Sequence, residues 1–326
     1  MQFSAVKRCA MGSVRWAFHC SSWAPSQAEW LLCARCVQPE EKERIGQFMF
    51  TRDAKAAMAG RLLMRKVIAE KLQIPWDKIL LQRTEKGKPF LCYGSSSEYP
   101  LFKFNVSHQG DYAVLAAEPY RQVGVDIMKT DLPGSGSIKE FFRLMDRQFT
   151  EKEWHSIRSM NSDWAQLDMF YRHWALKESF IKAIGVGLGF NLQRIEFEVS
   201  PVNMDIGKTY KQTKMFLDDE EETWAFEEIL LDNQHHVAVA LGEVDQLLHQ
   251  SHKINDVTES TFELLSFEDL MASAVPMSDE DPDYWINFQS KQEFPFRQRT
   301  NASYPNTIDP EPLRKLQGEI AENSTT

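Results

Sequence analysis

Two long helical stretches, one in each half of the chain, constrain its fold most. Apolar side chains recur at helical spacing over residues 53–72 and again over residues 168–184. Each stretch is accompanied by several segments whose residue pattern predicts strands. We therefore predict an α+β fold of two similar subdomains related by a pseudo-twofold axis. Each subdomain would be a long helix packed on a mostly antiparallel sheet, with the main site in the cleft between them.

The predicted subdomains cover residues 14–119 and 120–244, and residues 245–326 have a different character. Ser, Asp, Glu and Pro are prominent there. From Val244 to the end the chain carries 15 acidic and 6 basic residues, so −9 of its net charge of −10 lies in this stretch. We expect an acidic, largely irregular tail in which TFELLSFEDLM forms one short helix that packs back onto the core, with disorder from Asn287 onward.

The rest of the chain is almost neutral, and this balance excludes several classes of function. Phosphate recognition by a nucleic-acid-binding protein needs a basic footprint, so we expect no nucleic acid as partner.

No apolar run approaches the roughly 18 residues of a membrane span, so we expect no membrane. Lys7, Arg8 and Arg15 precede the first acid, as in a transit peptide, but residues 14–18 are typical of a first strand. We expect a monomeric protein of the cytosol.

The five cysteines are an odd number, which indicates reduced thiols rather than a disulfide framework. Cys33 and Cys36 form a C-x-x-C motif. Zinc binding would need a second pair of ligands, and thioredoxin-like chemistry would need a preceding strand, whereas this pair lies in a predicted helix. We assign the motif neither function.

The stretch WALKESFIK carries an acid and a base on one helical stripe. Trp174, Glu178 and Lys182 are four residues apart and therefore lie one above the other. An acid–base pair of this kind could transfer protons at a phosphate, and a cation bound to the acid could neutralise the phosphate charge. An ordinary surface salt bridge has the same spacing. Asp126 favours the first reading, because it lies in the apolar run VGVDIM, where a lone carboxylate is costly unless it meets a cation.

Several cations upstream could bind an anion. Arg83, Lys86 and Lys88 alternate along a predicted hairpin in which Gly87 allows a tight turn, although a solvated turn has the same composition. Arg44 precedes the first long helix in what we predict to be a turn, and His108 lies between two strands, where it could donate to a phosphate. The pattern of a P-loop is absent from the sequence.

These motifs together resemble those of the Sfp-type 4′-phosphopantetheinyl transferases. The resemblance covers roughly residues 14–243, and its motifs occur in the family's order and spacing. They are K-G-K-P at residues 86–89, N-V-S-H at residues 105–108, G-V-D-I at residues 124–127 and W-A-L-K-E-S at residues 174–179.

The resemblance implies an Sfp-like fold of two similar subdomains with coenzyme A between them. It implies that Asp126 and Glu178 hold Mg²⁺ against the pyrophosphate, and that Glu178 accepts the proton of a carrier-protein serine while Lys182 stabilises or protonates the leaving adenosine 3′,5′-bisphosphate. The catalytic residues would thus be Asp126, Glu178 and Lys182. Coenzyme A would contact Glu178, Lys182 and a set of upstream residues: Arg44, Arg83, Lys86, Gly87, Lys88, Asn105, Val106, Ser107 and His108.

One position departs from the family's pattern. Many bacterial relatives have a second acid two residues after the aspartate, where this chain has Met128. A thioether is a poor ligand for Mg²⁺, so the shell must be completed by coenzyme A oxygens, by water or by a side chain such as Gln109. Two alternatives to the transferase stay open: an inactive module that binds coenzyme A or a carrier protein, and a Mg²⁺-dependent nucleotide phosphotransferase.

Overall fold

The structure is a computed structural model that describes residues 12–92, 102–132, 136–243 and 261–293. Its first half contains three helices and five strands. In chain order they are β1 (Val14–His19), α1 (Gln27–Arg35), α2 (Pro39–Gln47), α3 (Thr51–Leu72), β2 (Leu81–Arg83), β3 (Pro89–Leu91), β4 (Lys103–Gln109) and β5 (Tyr112–Glu118).

The second half follows the same plan with additional strands. Its elements are β6 (Val123–Lys129), α4 (Ile138–Leu144), α5 (Glu151–Arg158), α6 (Asp163–Ile184), β7 (Ile195–Glu198), β8 (Lys214–Leu217), β9 (Glu220–Glu221), β10 (Ala225–Leu230) and β11 (His235–Leu241). The last described segment adds β12 (Glu263–Leu265), α7 (Phe267–Met271) and α8 (Pro282–Gln289).

The two halves share one topology. In each half a first strand leads to a 22-residue helix, α3 or α6, and then to an antiparallel hairpin whose second strand pairs with the first strand. The resulting strand orders are β1-β5-β4 and β6-β11-β10, with antiparallel pairing throughout. The prediction of an α+β fold with a pseudo-twofold repeat is therefore confirmed.

The two sheets face each other, and the long helices cover their outer faces. Alternation along each strand sends one set of apolar side chains to a cluster between the sheets and the other set to the helix. The inner cluster contains Tyr112, Val114, Val125, Val239 and further residues of the two sheets. Two larger clusters lie outside it, one beneath α3 and one around α6.

Three details differ from the prediction. Arg44 lies within α2, which begins with Pro39 in its first turn, rather than in a turn ahead of α3. Helix α6 begins five residues earlier than predicted, because the Ser162 hydroxyl caps it by accepting a hydrogen bond from Ala165 N. His108 lies within β4 rather than between two strands. Gly185, in the left-handed conformation at φ 71°, ends α6 where the predicted helix ended.

The tail is more ordered than its composition suggested. Strand β12 pairs in parallel with β1 and occupies the first part of the stretch TFELLSFEDLM, so only the second part of the predicted helix is helical, as α7. Helix α8, which the sequence did not predict, packs its aromatic side chains on α1, where the rings of Phe288 and Trp30 lie 3.9 Å apart. Residues 294–326, which include most of the stretch predicted to be disordered, lie outside the described residues. None of the helices in the described ranges is both long and apolar enough to cross a membrane.

Candidate active site

The candidate site forms where α6 lies directly on β6. A Cβ atom placed on Gly124 would come within 2.0 Å of the backbone oxygen of Ser179 and 2.4 Å of the Ala183 nitrogen. Only glycine fits at so close an approach of strand and helix. Asp126 follows two residues later on the same face of β6, so this contact brings its carboxylate to the Glu178 and Lys182 turns of α6.

Asp126 is the buried centre of the site. Its side chain is 2% exposed, and its Oδ1 accepts hydrogen bonds from Lys182 Nζ at 2.7 Å and from Ser107 Oγ at 2.8 Å. Its Oδ2 is also buried and has no hydrogen-bond partner among the described residues. Burial raises the pKa of Asp126, against the opposing effect of Lys182. One carboxylate oxygen is thus free for an additional partner.

Glu178 shares this buried environment. Burial, and next the nearby Asp126 carboxylate, raise the pKa of Glu178 to about 7, whereas Lys182 lowers it. Lys182 forms an ion pair with Asp126. The four-residue spacing of Glu178 and Lys182 therefore does not indicate a surface salt bridge. Two buried carboxylates lie beside a single ammonium group. A divalent cation would stabilise this site, because such a cation prefers oxygen ligands and would balance the excess negative charge.

The described residues provide two carboxylates at this point and no third. Met128 lies on the same face of β6 as Asp126 but belongs to the apolar cluster around α6, where it is 6% exposed. No group of three or more His, Cys, Asp or Glu side chains suited to a metal occurs within the described ranges. The donor set therefore fits a cation that takes its other ligands from a substrate or from water.

Strand β4 joins this site to the first half of the chain through alternate side chains. The Asn105 amide oxygen accepts a hydrogen bond from Val125 N at 2.8 Å, and Gln109 accepts one from Lys129 N. Between these two contacts, Ser107 donates to Asp126. Gln109, which we suggested as a metal ligand, thus holds the β4 and β6 edges together.

A cluster of guanidinium groups lies on the other side of β4. Glu41 on α2 pairs with Arg61 Nε at 2.9 Å and with Arg83 Nη2 at 3.0 Å. Arg44 is close enough to lower the pKa of both arginines electrostatically. Burial lowers the pKa of Arg61 to about 9, although Glu41 opposes the shift. Two guanidinium groups paired with one carboxylate, and a third guanidinium group nearby, leave a net positive charge that favours an anion.

His108 lies between the guanidinium cluster and Lys182. Its Nε2 atom is buried without a hydrogen-bond partner in the described chain. Burial is the largest cause that lowers the pKa of His108 to about 3, followed by the positive charges of Lys182, Arg61 and Arg44. The imidazole is therefore neutral at pH 7 and can offer a ring N–H to a bound anion.

The hairpin lysines reach across to the end of α6. Lys86 donates to Val186 O at 2.7 Å, and Lys88 donates to Lys182 O at 2.6 Å. Gly87 forms the turn at φ 82° and accepts a hydrogen bond from Arg83. Burial and the neighbouring lysines lower the pKa of Lys88 to about 8. The turn therefore bridges the two halves, while its residues 84–86 remain exposed.

Two residues of the motifs point away from the site. Val106 belongs to the apolar cluster beneath α3, so only its backbone is available to a ligand. Lys177 forms a fully buried ion pair with Glu153 at 2.8 Å on the far side of α6. Arg61 and Glu41 were not among the site residues predicted from the sequence. The available signal was an arginine among the apolar positions of α3, since a buried charge needs a partner.

Two family models match most of this chain. One family model, described as 4′-phosphopantetheinyl transferase, N-terminal, matches residues 21–120. A second, described as the 4′-phosphopantetheinyl transferase superfamily, matches residues 122–240. Between them, the two matches include β6, α6 and all the site residues described above.

Three curated relatives illustrate the range of similarity. The L-aminoadipate-semialdehyde dehydrogenase-phosphopantetheinyl transferase of Xenopus laevis is 87% identical over 92% of this chain and 99% of its own length. The human protein of the same name is 62% identical over 93% of this chain and 100% of its own length. The 4′-phosphopantetheinyl transferase Sfp of Bacillus subtilis is 33% identical over 48% of this chain and 63% of its own length. The chain therefore belongs to the 4′-phosphopantetheinyl transferase family.

Proposed function

We propose that this chain transfers the 4′-phosphopantetheine group of coenzyme A to a serine of acyl or peptidyl carrier protein domains. The observation that carries the proposal is the buried Asp126, whose Oδ1 binds Lys182 while its Oδ2 has no partner among the described residues, beside Glu178. Family membership supplies the reaction class and coenzyme A as the substrate. Phosphoryl transfer depends mainly on positioning and charge neutralisation, and the site provides both.

The residues fit a bound Mg²⁺ ion. Asp126 Oδ2 and the Glu178 carboxylate would hold it, and oxygen atoms of this kind are the ligands that Mg²⁺ prefers. When bound, the ion would neutralise charge on the pyrophosphate of coenzyme A. Met128 offers no oxygen, so we infer that substrate oxygens and water complete the shell.

We propose roles for the chain's own residues that their charges and positions support. Glu178 accepts the proton of the carrier serine as a carboxylate general base. The serine oxygen then bonds to the phosphorus that bears the pantetheine arm, and the bond from that phosphorus to the adenosine 3′,5′-bisphosphate breaks. Lys182 stabilises or protonates the departing phosphate oxygen.

The remaining phosphate charge would lie on the cations of the first half. We propose that coenzyme A phosphates contact the guanidinium cluster, His108 and the hairpin lysines, with backbone groups of residues 105–107 lining the nucleotide. The proposed ligands are Arg44, Arg83, Lys86, Gly87, Lys88, Asn105, Val106, Ser107 and His108. Arg61, which pairs with Glu41 beside Arg83, is an addition from the structure.

The names of the animal relatives suggest a carrier domain of aminoadipate-semialdehyde dehydrogenase as one acceptor. We propose that type of carrier and that of fatty acid synthase as partners, with the enzyme acting in the cytosol as a monomer. The four described cysteines are free, which fits a reducing compartment. Light scattering after size-exclusion chromatography would test the monomer.

Incubation of the chain with coenzyme A, Mg²⁺ and an apo acyl carrier protein tests the proposal by mass spectrometry. We expect one phosphopantetheine adduct on the carrier serine, lost when chelator replaces Mg²⁺. A carrier of unchanged mass would contradict the proposal. The alternative of an inactive binding module is not supported, because the relatives are named as transferases and the acids and lysine of the site are in place.

A further inference from the structure

The tail segment of residues 261–293 contacts the helix that carries Glu41 and Arg44. Helix α2 has nine residues, one of them buried, and its first residue has no side-chain cap. One side of α2 reaches α3 through the pair of Glu41 with Arg61. The other side meets the tail. A short helix of this kind depends on tertiary contacts for its position.

Three tail side chains hold α2 at both of its ends. Asp281 pairs with Lys42 at 2.9 Å, and the Tyr284 hydroxyl donates to Lys42 O at 3.0 Å. At the other end, Lys291 Nζ donates to Gly46 O at 2.7 Å and to Phe48 O at 2.6 Å. A cation on the final carbonyl groups of a helix satisfies acceptors that have no partner within the helix.

These contacts flank the anion-binding residues in sequence. Lys42 is adjacent to Glu41, and Gly46 lies two residues after Arg44. A displacement of α2 would move Arg44 and would also shift the Glu41 carboxylate that orients Arg83. The catalytic carboxylates on β6 and α6 touch none of the three tail residues, so they would not move.

We propose that residues 261–293 position α2 through Asp281, Tyr284 and Lys291, and thereby hold the guanidinium cluster in the geometry that binds a coenzyme A phosphate. The inference rests on the proposed function of that cluster. Lys291 is a positioning residue in this account, because it acts on the ligand through α2. It follows that loss of the tail contacts weakens ligand binding and leaves the chemical step nearly intact.

The test compares full-length variants by calorimetric titration with coenzyme A and by the transfer assay. Lys291→Met and Asp281→Asn should each raise the dissociation constant of coenzyme A by about three- to tenfold, with kcat at saturating coenzyme A within about twofold of wild type. Lys291→Arg should restore most of the affinity, because it keeps a cation at the α2 carbonyls.

The matched control is Glu263→Gln. It weakens a tail contact remote from α2, the hydrogen bond from Trp16 Nε1 to Glu263 at 3.1 Å. Its thermal midpoint should fall while its dissociation constant stays at the wild-type value. Unchanged affinity in both Lys291→Met and Asp281→Asn, or an equal loss in Glu263→Gln, would overturn the inference. Failure of the wild-type chain to bind coenzyme A would instead contradict the proposed function, and the inference with it.

Discussion

The ammonium nitrogen of Lys182 lies 2.7 Å from Oδ1 of Asp126, and this pair links the two motifs of the site. It satisfies one carboxylate oxygen in a place where burial would otherwise penalise the charge. The second oxygen stays buried without a partner in the described chain. The pair therefore fixes the orientation of the Asp126 carboxylate and leaves its Oδ2 available.

Replacement of Lys182 by methionine should remove the positive charge that is paired with the Asp126 carboxylate. Asp126 Oδ1 keeps its hydrogen bond from Ser107, but no cation remains beside the two acids. We expect kcat to fall at least about 100-fold, because the leaving phosphate loses its cationic partner. The midpoint of thermal unfolding should also fall, because Asp126 loses its ion-pair partner while it stays buried. Single-turnover transfer and thermal denaturation measure the two effects. A kcat within tenfold of wild type would contradict the role given to Lys182.

Arg83→Ala should weaken substrate binding more than catalysis. The guanidinium group pairs with Glu41 on the side of β4 away from Asp126, so its loss removes phosphate affinity without altering the acids. We expect KM for coenzyme A to rise about tenfold and kcat to fall by less than about threefold. Arg194→Ala is the control, because Arg194 forms an exposed ion pair with Asp218 outside the site. An unchanged KM in Arg83→Ala would argue against phosphate binding there.

The buried pair of Lys177 and Glu153 should matter for stability and not for chemistry. Both side chains are 0% exposed, and Glu153 also accepts a hydrogen bond from Phe197 N. Lys177→Met leaves an unpaired buried acid and should lower the free energy of unfolding by about 3–5 kcal/mol. Urea titration measures this loss. Transfer per folded molecule should stay within about twofold of wild type, and a large fall in it would assign Lys177 to the reaction.

His108 should make the protein less stable towards acid. Its pKa is about 3 in the folded chain, against an ordinary value of 6.5, so the unfolded state binds the proton first as the pH falls. The contribution of the neutral His108 imidazole to the free energy of unfolding is present above pH 6.5. Below pH 6.5 this contribution is lost, by up to about 1.4 kcal/mol per pH unit. Urea titrations at several pH values between 7 and 5 give the free energy of unfolding at each pH. The slope of this free energy against pH should be smaller for His108→Gln than for wild type. His155→Gln, at an exposed position on α5, should keep the wild-type slope. Equal slopes in all three proteins would contradict the assignment.

The sequence predicted the repeated fold because periodicity is a local signal. Apolar spacing marked both long helices, and alternation marked the strands that pair around them. Asp126 and Lys182 were also recognisable, since a buried acid and a helical stripe each have a pattern. The subdomain boundaries and the roles of the individual site residues stay predictions.

Other features depended on contacts between distant segments. Gly124 looked like an ordinary strand glycine, and only the packing of α6 explains it. Arg61 looked like one more polar residue of α3, because its partner Glu41 lies on a different helix. Tyr284 and Phe288 stand in an acidic stretch whose overall composition concealed a helix that packs on α1. Local patterns do not report such pairings.

Glu178→Gln tests the central claim most directly, because the variant keeps the shape of the side chain and removes its charge. The measurement is phosphopantetheine transfer to an apo acyl carrier protein by mass spectrometry, alongside Mn²⁺ binding followed by electron paramagnetic resonance as a probe of the metal site. The account predicts an intact fold, loss of transfer and weakened Mn²⁺ binding, while Glu198→Gln, at an exposed position on β7, behaves as wild type. Near-normal transfer by Glu178→Gln would contradict the account.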